Sequence, residues 1–218
     1  TPAASGGGGA AAGVPTNVSN LLDSIGDGTS SADETAATIQ ADLAKGSLTF
    51  VRIAAGFESS LADGKTDFST LGLVLGALEA SSSAGILETI STINAAGIVE
   101  TMLAANVAAI FDVMTVTKAV AVVEILDTVK AAAALELVST TQTAAILEDL
   151  TVTKGAAIVA LLTTTKAVAT FDALTATKAA ALAEILTTEI VVTILDQMDV
   201  VKASAVVDVL STAKGVMV

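Results

Sequence analysis

The chain contains no cysteine, histidine, tryptophan or tyrosine, and aromatics make up 2% of its 218 residues. Each absence closes a class of function. Without cysteine there is no disulfide and no thiolate nucleophile, although such a chain persists in oxidising and reducing surroundings alike. Without histidine there is no side chain whose ordinary titration lies near neutral pH. Basic residues are also scarce: 10 Lys and Arg stand against 23 Asp and Glu, a net charge of −13. That charge repels phosphate backbones, and with no basic patch and no aromatic stacking platform, nucleic acid is not an expected partner. Long apolar runs are missing too. A membrane span needs about 20 predominantly apolar residues in a row, and Lys118, Lys130, Lys154, Lys166, Lys178 and Lys202, with acids between them, interrupt every candidate stretch.

What remains is 53% hydrophobic and 15% charged, so any core is made of Ala, Val, Ile and Leu. Small aliphatic side chains each bury less apolar area than an aromatic ring, and stability must come from many repeated contacts. Three segments follow from composition. Residues 1–15, "TPAASGGGGAAAGVP", form a Gly/Ala-rich stretch without periodicity and are expected to be a flexible tail. Residues 16–81 read as a small helical cap region. Thr16 can cap "NVSNLLDSI", and Ser31 or Asp33 can cap "ETAATIQADLAK", which stops at Gly46. The Asn17 triplet "NVS" fits a glycosylation acceptor, which matters only in a secreted chain. Asp23, Asp27, Asp33 and Glu34 lack the spacing of a calcium-binding loop and read as solvated acids.

From residue 82 to 218 the chain repeats every twelve residues: "KGAAIVALLTTT", "KAVATFDALTAT" and "KAAALAEILTTE" succeed one another without an insertion. Full units begin at 82, 94, 106, 118, 130, 142, 154, 166, 178, 190 and 202. Position 1 is often Lys. Position 4 is small, from Gly85 and Gly97 to Ala205, with Thr193 the largest. Positions 5, 6 and 9 form an apolar stripe at helical spacing. Position 7 is acidic in every unit except at Ala160. Position 10 is Ser, Thr or Asp in every unit except at Leu103. These are the preferred N-cap residues, whose side-chain oxygen accepts a hydrogen bond from an unpaired backbone N–H one turn into a helix.

Each unit is therefore expected to start its own helix. A continuous helix at about 3.6 residues per turn would drift by about 120° per unit and smear the stripe around its surface. The predicted fold is all-α: a solenoid of about eleven short helices, each stabilised by its neighbours because isolated helices of this length are marginal.

Units such as "QTAAILEDLTVT" and "KASAVVDVLSTA" resemble the short-helix repeats of the cytoplasmic N-terminal domain of MgtE magnesium transporters and similar stretches of FliG and MotE. The resemblance covers about residues 82–218 and implies an α-superhelix. It concerns architecture, since Thr-rich junctions stand here where that family has Asp-Pro-Glu.

For function, no cofactor or catalytic constellation is expected, and an enzyme is not predicted. The Ser, Asp and Lys residues do not depart from the repeat, and no Gly-rich phosphate loop is present. The position-7 acids, among them Glu88, Glu100, Asp112, Glu124, Glu136 and Glu148, form a ladder that reads first as a solvated face and second as a weak divalent-cation surface. Thr-x-Thr pairs such as Thr151/Thr153 resemble the threonine arrays of ice-binding β-solenoids, but Ala-rich helical spacing and N-capping account for them. The C-terminal "KGVMV", with Lys214, Val216, Met217 and Val218, predicts an apolar end that meets another chain. The expected function is a non-enzymatic scaffold or linker that binds subunits of a larger assembly, possible examples being membrane-associated complexes such as a photosynthetic antenna. The alternatives are a self-assembling filament and a cation-sensing domain. The opening Thr1 suggests a processed mature chain, organellar or extracytoplasmic.

Overall fold

The computed structural model describes residues 17–210, and across these the chain is all-α. Four helices come first: α1 (Val18–Gly26), α2 (Ala32–Ala44), α3 (Phe50–Ala62) and α4 (Phe68–Ala77). The array continues with α5 (Ala80–Thr89), α6 (Thr92–Thr101), α7 (Ala104–Phe111), α8 (Val116–Ile125), α9 (Thr128–Leu137) and α10 (Thr140–Asp149). It closes with α11 (Val152–Val159), α12 (Thr164–Ala173), α13 (Ala176–Ile185), α14 (Thr188–Gln197) and α15 (Val200–Val209).

Two kinds of corner join them. The first three helices end at Gly28, Gly46 and Gly64, which take the left-handed conformation at φ 71°, 72° and 66°. A side chain there would be strained. Each glycine closes a Schellman motif: the Gly46 N–H donates to the Leu43 carbonyl, and the Ser47 N–H to that of Asp42, at 3.0 Å each. The N-caps Ser31, Thr49 and Asp67 follow at the same 18-residue spacing, a period the sequence analysis did not register. Ser31 caps α2 in a reciprocal box with Glu34, and Asn17 caps α1.

From α4 onward most corners shrink to two residues. Position 9 is an extended, buried C-cap such as Leu126 (ψ 152°) or Leu150 (ψ 155°), and position 10 is the N-cap of the next helix. Thr115, Asp127, Ser139, Thr151, Thr163, Thr175 and Asp199 accept hydrogen bonds from the following turn, as their residue types predict. Ser91, Leu103 and Thr187 head their helices without one.

The short helices do not simply lie in sequence order. Each packs chiefly against the helix two before and the helix two after it, from α1 on α3 to α13 on α15. Odd-numbered and even-numbered helices thus form two stacked rows, and one turn of the solenoid is two repeats, 24 residues. A core runs between the rows from Val18 to Leu210. In a typical unit, Ala131, Ala132, Ala134, Leu135 and Val138 are all buried, so positions 2 and 3 join the expected 5, 6 and 9. At position 2, a Cβ added to Gly155 would meet the Leu182 side chain at 2.9 Å. At position 4, the close contacts are at Gly85 and Gly97, whose added Cβ would meet the rings of Phe50 and Phe68 at 2.4 and 2.7 Å.

Candidate functional site

The position-7 acids and position-1 lysines meet across the turns of the solenoid. The acid near the end of one helix accepts the N-cap backbone N–H of the helix three further on. Thr115 donates to Glu88 (2.7 Å), Asp127 to Glu100 (3.2 Å), Ser139 to Asp112 (2.9 Å) and Thr151 to Glu124 (2.5 Å). Thr163 to Glu136, Thr175 to Glu148 and Asp199 to Asp172 continue the series. In return, the lysine in the first turn of that later helix donates to the C-cap carbonyl of the earlier one. Lys118 reaches Ile90 and Lys178 reaches Leu150 at 2.5 Å each. Lys130, Lys154, Lys166 and Lys202 bond to Met102, Leu126, Val138 and Leu174. Gln142 serves the same place, donating to the carbonyls of Phe111 (2.9 Å) and Met114 (3.0 Å).

This reciprocal clamp puts a carboxylate at the positive end of one helix and an ammonium at the negative end of another, the arrangement that the helix dipole favours. Glu58 begins it upstream, accepting the Ser91 N–H at 2.8 Å, and that bond holds its carboxyl below the usual range. Lys166 shows the opposing cost. Burial lowers its pKa, while Glu136 and Asp112 pull it back up.

The six acids singled out as cation candidates, Glu88, Glu100, Asp112, Glu124, Glu136 and Glu148, are thus spaced one per corner. Among the described residues no group of three or more Asp or Glu gathers to hold a metal ion. Lys214, Val216, Met217 and Val218 lie outside the described residues.

Position 8 carries a feature that the twelve-residue register conceals. On the odd row it is aliphatic and exposed at the C-terminal ends of five successive helices: Val113 (56%), Leu137 (56%), Leu161 (53%), Ile185 (53%) and Val209 (49%). On the even row the same position holds Thr101, Ile125, Asp149, Ala173 and Gln197, of which Ile125 alone is a large exposed aliphatic (51%). Stacked helices lie about 8–10 Å apart, so the five side chains form an apolar row about 32–40 Å long on one edge of the solenoid. Other exposed aliphatics, such as Ile93, Val129 and Val200, do not share this period. Reading the sequence in 24-residue pairs would have revealed the row.

No helix among the described residues is long and apolar enough to cross a membrane. Protein-family models, curated proteins and solved structures give no match to the chain.

Proposed function

We propose that this chain is a non-enzymatic scaffold that links subunits of a larger assembly, with the apolar row of the odd helices as its contact surface. The observation that carries this reading is the unbroken succession of five exposed aliphatics on one row, against a single one, Ile125, at the same position of the other. The core does not require them, since position 8 faces away from it and tolerates Thr, Asp and Gln on the even row. Covering such a row would release about 25 cal/mol for each Å² of apolar surface, and contiguous exposed apolar patches mark interaction sites. The clamped corners hold the row on a rigid support, which lowers the entropy lost on association.

The test is the triple variant Leu137→Asp, Leu161→Asp and Ile185→Asp. All three side chains are more than half exposed, so helicity and melting temperature are expected to stay close to those of the parent. The complex isolated from the native source is expected to lose its size in sedimentation, the variant running free of the subunits that comigrate with the parent. A variant complex of unchanged size and composition ends the proposal.

A further inference from the structure

Of the eight equivalent junctions from α5–α8 to α12–α15, seven carry the corner clamp and one lacks it. Where the others have an acid at position 7, the α11–α14 junction has Ala160; where they have Lys or Gln at position 1, it has Ile190. Among the described residues no side chain donates to the Leu162 carbonyl, which is the counterpart of the lysine-bonded Leu150 and Leu174 carbonyls. Both halves of the clamp are lost together, and a cavity of about 220 Å³ stands in their place. The cavity is lined by Ala160, Leu162, Thr164, Glu189, Ile190 and Thr193, among others.

We infer that this cavity binds a primary alkylammonium group. The residues around it offer acceptors: the Leu162 carbonyl, the Thr164 hydroxyl, the Thr193 hydroxyl, which itself donates to the Glu189 carbonyl, and the exposed Glu189 carboxylate, beside the negative end of α11. Ile190, Ala160 and the neighbouring Val159 and Ile194 supply an apolar wall for a short carbon chain. The neighbouring corners display the same recognition within the chain, where a four-carbon stem lies along the junction and its ammonium bonds to the position-9 carbonyl. An anion is disfavoured by Glu189, and a neutral apolar molecule would leave the carbonyl unpaired.

The site is tested by titrating the whole protein with n-butylammonium at constant ionic strength and following the methyl resonances of Ile190 and Ile194. Saturable shifts are expected, with n-butanol and butyrate binding at least about tenfold more weakly. Ile190→Lys, which supplies the chain's own ammonium and restores the repeat, is expected to abolish the shifts while leaving the protein folded. Glu189→Gln is expected to weaken binding and keep the apolar wall. Non-saturable shifts, equal binding of butanol or butyrate, or undiminished binding to the Ile190→Lys protein overturns the inference. The peptide acetyl-Gly-Lys-Gly-amide separates the two sources of the ligand: tighter binding than butylammonium assigns the cavity to a partner's lysine, weaker binding to a free amine.

Discussion

Glu58 spends its carboxylate on one backbone N–H of a helix it is not part of, and this makes one corner sensitive to acid. Its folded pKa lies below the ordinary value, first because of the Ser91 backbone bond and then the Ser91 side chain. A depressed carboxyl pKa contributes stability that is complete above the unfolded value, about 4.3, and is lost as pH falls through the folded one. Glu58→Gln removes the charge and keeps the shape. It is expected to cost about 1 kcal/mol near neutrality, discounted for solvent screening, and less at about pH 3. Melting curves of parent and variant at the two pH values check this, and an undiminished difference in acid would assign the effect to packing. Gly97 poses a steric question at the same scale. Gly97→Ala gains about 0.5–1 kcal/mol of helix propensity but drives a methyl group to 2.7 Å from the Phe68 ring, where overpacking costs about 1–3 kcal/mol. A net loss of about 1 kcal/mol is expected. Phe68→Leu should reverse much of it in a double-mutant melting cycle.

Among the elements, the short helices were legible because their starts are written locally. Ser, Thr or Asp at position 10 names the N-cap, and the buried aliphatic before it names the corner. The clamps were not legible for a matching reason. Glu124 bonds to a residue 27 positions away, and a periodic acid on a half-exposed face looks the same whether it meets water or a distant helix N-terminus. Only the stacking of alternate helices, which fixes the turn at 24 residues, connects the two. Once the clamp is seen, the α11–α14 junction becomes the weak corner of the array. Ala160→Glu with Ile190→Lys is expected to rebuild the clamp and stabilise the protein by about 1–2 kcal/mol, or about 2–4 °C per kcal/mol for a chain of this size. Each single substitution is expected to give less than half of the gain, because the two charges support each other. Calorimetry of the four proteins checks the coupling, and simple additivity would mean that the two halves act separately.

For the whole molecule, packing and surface follow different periods, and this separates folding from binding. Core positions 2, 3, 5, 6 and 9 repeat every twelve residues, so any helix can occupy either row. The exposed aliphatics at position 8 succeed one another every 24 residues on the odd row, with Ile125 the one large aliphatic at that position on the even row. Deleting one unit, residues 142–153, lets the corners close again: Glu136 meets Thr175, and Lys154 takes the place of Gln142 opposite Met114. It also moves Leu161, Ile185 and Val209 to the other row, away from Val113 and Leu137. Deleting two units, residues 142–165, keeps the remaining four aliphatics in line. Because a solenoid's stability is nearly a sum over neighbouring repeats, both shortened proteins are expected to fold with unchanged helicity per residue and to melt slightly earlier than the parent. Only the two-unit deletion is expected to retain its partner subunits. Should the one-unit deletion bind as well as the parent, the apolar row is not the contact surface; should it fail to fold, the two rows are not interchangeable and the core itself carries a 24-residue period.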